Sequence, residues 1–459
     1  MYLQLYLHIR SLIQDGVLQD GTKLPSIRAL KQQLNISKTT IETAYHLLLE
    51  EGYAASKERS GLVVINPSHL LASNPAEMSA SFTSEGCCTE TRETDKKPLI
   101  DFSLLTVDGD SFPIRIWKSV AGEALSQNSP FIHQYGDPRG EYALRVSLAQ
   151  YLQHSRGVVC TPEQVIVGNG ISYSIQLLSK LLEGETSVGI EKAGIAQVRE
   201  AFVQNGLHPI PISMQTRKQL EQECSVYNLR TLYVTPSHRP TGEPLPYGIR
   251  QEMLQWAADT RGYILEDDYD GELRLSGKPI PSLQGLDKKG VVIYMGTFSK
   301  VFTPAFRMNY MVLPPKLLNK MHTMDKMLSP PSRIDQWAMQ LFISRGHWYR
   351  HLRRMRKVYR LKHHALVQLI KEVMPDSVQV EASGSGLHLE LSISANCSAE
   401  ELVELARNEG VLVYGSQDSS KSTCGGKAKV YAGFGGVTEN EMKVGIHLLR
   451  KAWMPVLLK

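Results

Sequence analysis

Residues 66–97 are rich in Ser, Thr, Glu, Asn and Pro and carry no sustained apolar period. No other feature constrains the chain more. A stretch of this kind cannot present a buried face, so it reads as a flexible linker, and the residues on either side must build separate cores. The chain has 459 residues, 42% hydrophobic and 21% charged. That is enough apolar material for a small unit over 1–65 and a large one over 98–459, and too little charge for wholesale disorder.

Several function classes drop out at once. The formal net charge is only +5, and residues 1–65 hold seven Lys and Arg against six Asp and Glu, so any nucleic-acid role must come from pattern rather than bulk charge. The cysteines, Cys87, Cys88, Cys160, Cys224, Cys397 and Cys424, include no C-x-x-C pair, which fits a reducing compartment and no metal site. The N-terminus lacks a basic segment leading into an apolar run, and no stretch of about 18 apolar residues occurs. A cytoplasmic protein without membrane contact is expected.

In the small unit, Tyr2, Leu5, Tyr6, Ile9, Leu12 and Ile13 recur at helical spacing until Gly16 and Gly21. Pro25-Ser26 then caps a second helix carrying Ala29, Leu30 and Leu34, which Asn35 ends. Ser37 caps a third with the stripe Ile41, Ala44, Tyr45 and Leu48, ending at Gly52. Tyr53 to Ala55 and Leu62 to Ile65 read as strands around the polar turn Lys57 to Gly61. Three helices and a hairpin make a winged helix-turn-helix. In such a unit the helix beginning at Lys38, Thr39 and Thr40 lies in the DNA major groove. Lys57 and Arg59 in the wing and Arg28 on the second helix reach phosphates or an adjacent groove.

From residue 98 the pattern changes. Strand-like runs at Gln164–Val167, Thr231–Val234, Gly262–Leu265 and Val291–Tyr294 alternate with helical ones such as Ser172–Leu182, the signature of an α/β unit with a mainly parallel sheet. Met295-Gly296-Thr297-Phe298-Ser299-Lys300 follows a strand and precedes Arg307. Lys300 can form a Schiff base with a carbonyl cofactor, while Thr297, Ser299 and Arg307 neutralise its phosphate. The segment Glu266-Asp267-Asp268-Tyr269 ends a strand, where α/β ligands bind. One of its carboxylates can keep a pyridine nitrogen protonated, and Tyr269 can reach the ring oxygen. Gly168-Asn169-Gly170-Ile171-Ser172 opens a helix whose N-terminal amides suit a phosphate.

The segment LPSIRALKQQLNISKTTIETAYHLLLEEGYAASKERSGLVV resembles the GntR-type winged-helix signature. That resemblance implies DNA contacts from Arg28, Lys38, Thr39, Thr40, Arg59, Ser60 and Gly61. The stretches FPIRIW, YGDPRGEYALRVSLAQYLQHSRGVVCTPEQVIV, VTPSHRPTG, EDDYDGELR, GTFSKVFTPAFRMNYMVLP and SGLHLEL resemble the fold-type I, class I aminotransferase domain. Together the two halves resemble the MocR family. The resemblance implies pyridoxal 5'-phosphate (PLP) bound at Lys300, with Asp267 at the pyridine nitrogen and Tyr269 at the ring hydroxyl. It places Ser299 and Arg307 at the phosphate, where the residues themselves also point to Thr297, Gly170, Ile171 and Ser172, and it implies a homodimer bound to a double-stranded operator.

Three positions depart from the family. Ile195 stands where an aromatic residue stacks on the ring, the loop Ser237-His238-Arg239-Pro240 is one residue short, and Tyr431 in VYAGF replaces the arginine that clamps a substrate carboxylate. Tyrosine cannot supply a guanidinium fork. The expectation is a PLP-dependent transcriptional regulator that senses PLP, a small amine or an amino acid. The alternative is an active PLP-dependent aminotransferase with an accessory DNA-binding head.

Overall fold

The computed structural model of the chain describes residues 1–57, 61–65, 99–192, 196–214, 216–237, 244–274, 280–325, 328–381, 386–415 and 427–458. The expected linker, 66–97, lies outside them. The chain divides into two compact units, Met1–Thr94 and Asp95–Lys459.

In the first unit α1 (Tyr2–Gln14), α2 (Ile27–Leu34) and α3 (Lys38–Glu50) precede the strands β1 (Ala54–Lys57) and β2 (Gly61–Val64). The caps are those the sequence offers. Ser26 Oγ accepts the Ala29 amide at 3.2 Å and Ser37 Oγ the Thr40 amide at 3.1 Å, satisfying helix-end donors. Asn35 ends α2 in the left-handed region, φ 50°. Tyr6, Ile9, Ile13, Ile41, Ala44, Tyr45, Leu48, Ala54 and Val64 form one buried core. The hairpin is shifted from its expected place: Tyr53 precedes β1, Lys57 is its last residue, and Gly61 opens β2 opposite Lys57. The cause is register, because Ala54 and Val64, which face each other, both bury their side chains.

The second unit opens with the short β3 (Ile100–Asp101). A seven-stranded sheet follows, made of β4 (Val165–Gly168), β5 (Ser187–Glu191), β6 (His208–Ile212), β7 (Thr231–Val234), β8 (Tyr263–Asp267), β9 (Val292–Thr297) and β10 (Asn309–Val312). Their order is β4-β10-β9-β8-β7-β5-β6, and only β10 runs against its neighbours. The inner strands β7, β8, β9 and β10 are buried along most of their length, which is why they read as unbroken apolar runs rather than alternating ones.

A helix of 27 residues, His347–Val373, leads to a second sheet that the alternation argument missed. This sheet is antiparallel, with β11 (Val378–Glu381), β12 (His388–Ser394), β14 (Tyr414–Gly415) and β15 (Lys427–Gly433) in the order β11-β12-β15-β14. Between them β13 (Val411–Leu412) pairs in parallel with β3. No described helix is long and apolar enough to cross a membrane.

Candidate cofactor site and DNA-binding surface

The site in the second unit is built at the carboxyl ends of β8 and β9. Asp267 is the last residue of β8 and lies opposite Met295 of β9, whose last residue is Thr297. The loop carrying Lys300 is fixed by its neighbours. Phe298, Val301 and Phe302 are buried. Phe298 meets Trp348 edge to face at 5.2 Å, Phe302 meets Trp117 at 5.1 Å, and His351 Nε2 donates to the Val301 carbonyl at 2.8 Å. These anchors leave Lys300 little freedom except at its tip. Its Nζ donates to the Leu104 carbonyl at 2.6 Å. Burial lowers the Lys300 pKa, opposed by the charge of Asp270, so its amine loses a proton more readily than an exposed lysine.

Around Asn309 the residues expected at a phosphate converge. Asn309 pairs in register with Thr297 on one side and Gly168 on the other. Its Oδ1 accepts the Gly170 amide at 2.9 Å, and its Nδ2 donates to Ser174 Oγ at 2.7 Å. Asn309 therefore ties the Gly168–Gly170 turn, and the start of the helix Ile171–Leu181, to the end of β9. The Ser299 amide donates to Thr297 Oγ1 at 3.1 Å, and the two hydroxyls are also 3.1 Å apart. Arg307 adopts φ 47°, and the tip of its side chain comes close to Gly170. Gly170 has φ 95°, and a Cβ there would stand 2.8 Å from Arg307 Nη2. The Arg307 tip could give way, but at φ 95° any side chain is strained, which favours glycine. Ile171 and Ser172 are the first two residues of the helix, where main-chain amides lack intrahelical acceptors.

At the other pole Asp267 is buried, and the Tyr233 hydroxyl of adjacent β7 donates to its Oδ2. Burial and the neighbouring charges of Asp268 and Asp270 push its pKa up to about 7 against the Tyr233 bond, which lowers it. An acid so placed binds best to a group that brings positive charge. Burial and the charges of Asp270 and Asp267 hold the Tyr269 phenol well above its ordinary range. Asp268 points the other way. Arg156 grips it from Nε at 2.6 Å and Nη2 at 2.9 Å, Tyr294 donates to it at 2.7 Å, and Arg156 Nη2 also reaches Ser237 Oγ at 2.6 Å. Burial would raise its pKa, yet Arg156 brings it below the ordinary value.

Tyr233, Asn309 and Arg156 were not singled out from the sequence. Asn309 sits two residues beyond Arg307, a signal that was available. Arg156 is 112 residues from Asp268 and gave none. Tyr431 lies on β15 opposite Glu390 of β12, with its ring edge to face with His388 at 5.7 Å. Ile195, His238 and Arg239 lie outside the described residues.

In the first unit Arg28, Lys38, Thr39, Lys57 and Gly61 are exposed. Lys38 pairs with Glu42 at 3.2 Å, and Thr40 is engaged with the Ser37 cap through both its amide and its hydroxyl. Lys23 bridges to Val63, and its Cε lies 3.6 Å from where a Gly61 Cβ would stand, which adds a cation beside the wing. Arg59 and Ser60 lie outside the described residues.

Fold and site together define a fusion of a winged-helix DNA-binding unit with an aminotransferase-like unit. Residues 1–64 match the family model "Bacterial regulatory proteins, gntR family", and residues 105–426 match "Aminotransferase class I and II". Over its whole length the chain is 36% identical to the HTH-type transcriptional regulator YhdI of Bacillus subtilis, covering 96% of it. It is 30% identical, over 99% of itself and 94% of the relative, to the probable rhizopine catabolism regulatory protein MocR of Rhizobium meliloti. Among solved structures, Pyrococcus horikoshii kynurenine aminotransferase superposes with a TM-score of 0.70 at 22% identity, over 83% of this chain and 98% of that one. The chain belongs to the MocR family of helix-turn-helix transcriptional regulators.

Proposed function

We propose that the second unit, residues 98–459, holds PLP at Lys300 and that its occupancy sets the operator affinity of the head, residues 1–65, across the linker 66–97. The observation that carries this reading is Lys300, its pKa lowered, on a clamped loop that follows β9 at the same end of the sheet as two poles. One pole is the acid Asp267. The other is the group Thr297, Ser299, Arg307 and Gly170. The donor set fits the cofactor: hydroxyls, a guanidinium and a helix N-terminus suit a phosphate, and an acid held by Tyr233 suits a pyridinium. Bound PLP supplies an aldehyde for a lysine amine and a protonated ring that withdraws electrons.

The chain's own groups do the rest. Lys300 offers an amine whose pKa burial lowers. Asp267 would hold a proton on the ring nitrogen, Tyr233 keeps that carboxylate aimed, and Tyr269 would meet the ring hydroxyl. Thr297, Ser299, Arg307 and the amides of Gly170, Ile171 and Ser172 bind the phosphate. On the DNA side, Lys38, Thr39 and Thr40 lead α3 into the major groove, with Arg28, Arg59, Ser60 and Gly61 at the backbone and wing.

Tyr431 in place of a guanidinium removes the anchor for a substrate carboxylate, which favours a sensor of PLP or a small amine over an efficient aminotransferase. The protein acts as a cytoplasmic homodimer. Supporting this, Ile114, Ile116, Phe131, Ile132, Tyr135 and Tyr142, all within 114–142, are exposed, Tyr135 completely. Fluorescence anisotropy on the DNA upstream of the chain's own gene, with and without PLP and then with amines and amino acids, tests the proposal. A shift in affinity with PLP that Lys300→Ala abolishes is expected. Affinity indifferent to PLP and to every amine would overturn it.

A further inference from the structure

The helix His347–Val373 carries eight Lys and Arg against a single acid, Glu372. Its apolar side is orderly: Trp348, His351, Leu352, Met355, Tyr359, Leu366 and Ile370 are all buried. The cations divide into two sets. Those toward the packed side have partners, with Arg356 Nε donating to the Glu272 carbonyl at 2.6 Å and Lys362 paired with Asp108 at 2.6 Å. The others, Arg350, Arg353, Arg354, Lys357, Arg360 and Lys371, are exposed. At about 100° per residue they fall within a third of the helix circumference. Arg353, Arg354, Lys357 and Arg360 have no ion pair with any described residue. At 1.5 Å per residue, the unbroken part of the stripe, Arg350 to Arg360, runs about 15 Å, with Lys371 standing apart from it further along the helix.

Like charges three and four residues apart destabilise a helix, so a row of them with no interleaved acid works against folding. A partner that supplies negative charge along a line removes that repulsion. A B-DNA backbone carries one charge per about 1.7 Å of axis, so about fifteen ångströms of it offers negative charge along the whole of the unbroken stripe. We infer that this face of the aminotransferase-like unit binds the phosphodiester backbone of double-stranded DNA, as a second contact surface besides the winged helix. The inference rests on the proposed DNA-binding function, and it makes the unit that senses the small molecule a direct contributor to DNA affinity. Contacts of this kind read no bases.

The test uses the full chain, random-sequence 20- and 60-base-pair duplexes and fluorescence anisotropy between 50 and 200 mM salt. The triple variant Arg353→Ala/Lys357→Ala/Arg360→Ala loses three phosphate contacts. At about 0.9 per contact, the slope of log affinity against log salt becomes shallower by about 2.7, with the larger loss on the longer duplex. The charge-preserving Arg353→Lys/Arg360→Lys variant keeps the wild-type slope, which separates charge from folding. If the triple variant binds both duplexes with wild-type affinity and slope, the inference fails. If the wild type binds neither duplex at any salt, the DNA-binding reading itself fails.

Discussion

Arg156→Met is the substitution whose cost the structure defines best. Arg156 and Asp268 are both almost fully buried, and the guanidinium gives the carboxylate two bonds, at 2.6 and 2.9 Å, while also reaching Ser237 Oγ and, at 3.2 Å, the Gly271 carbonyl. Methionine keeps most of the apolar stem and removes every donor. Asp268 is left as a buried carboxylate held by the Tyr294 and Ser237 hydroxyls but without its counter-charge, a loss worth about 3–5 kcal/mol. For a unit of roughly 360 residues the unfolding entropy near Tm is about 0.8 kcal/mol/K, so Tm falls by about 4–6 °C. The sign with pH is fixed as well. Without Arg156 the folded-state pKa of Asp268 rises above its unfolded value, so the penalty is small at pH 5, where a proton neutralises the group, and grows toward pH 8. Calorimetry at both pH values measures this. Adding Asp268→Asn removes the stranded charge and recovers part of the loss. A Tm within 1 °C of wild type at pH 8, or a deficit no smaller at pH 5, would refute the reasoning.

Other substitutions probe the two poles. Gly170→Ala forces a Cβ to within 2.8 Å of Arg307 Nη2 at a φ of 95°. PLP affinity, followed by absorbance titration, falls at least about tenfold while circular dichroism keeps the wild-type fold. Asp267 has a folded pKa of about 7, well above its unfolded value, so its proton stabilises the cofactor-free fold at low pH and that contribution is lost as pH rises through about 7. A shift of about three units sets a ceiling on the order of 4 kcal/mol. In urea titrations Asp267→Asn flattens the decline between pH 5 and 8, and equal slopes would contradict the assignment.

Much of the molecule is legible from residues alone where the signal is local. The helices of the head follow from Ser26 and Ser37 as caps and from an apolar stripe at helical spacing, both of which the backbone uses directly. Lys300, Thr297, Ser299 and Arg307 lie within eleven consecutive residues, so a short motif contains most of one pole. What the sequence hides is pairing between distant segments. Tyr233 meets Asp267 only because β7 and β8 are neighbours in the sheet, and Arg156 meets Asp268 across 112 positions. The antiparallel sheet escaped because its strands are short or follow the long helix, where the alternation of strand and helix breaks down. The hairpin moved by one or two residues because tertiary register, which buries Ala54 and Val64, outweighs local turn propensity.

The central claim is that Lys300 is the residue through which this regulator holds its cofactor. Its most direct measurement is the absorption spectrum of the purified full chain with PLP, for wild type and Lys300→Ala, before and after borohydride. The account predicts a visible band in the wild type that borohydride converts into a stable covalent adduct on the Lys300 peptide, and no such band or adduct in the variant. A wild type without the band, or a variant that keeps it, would contradict the account.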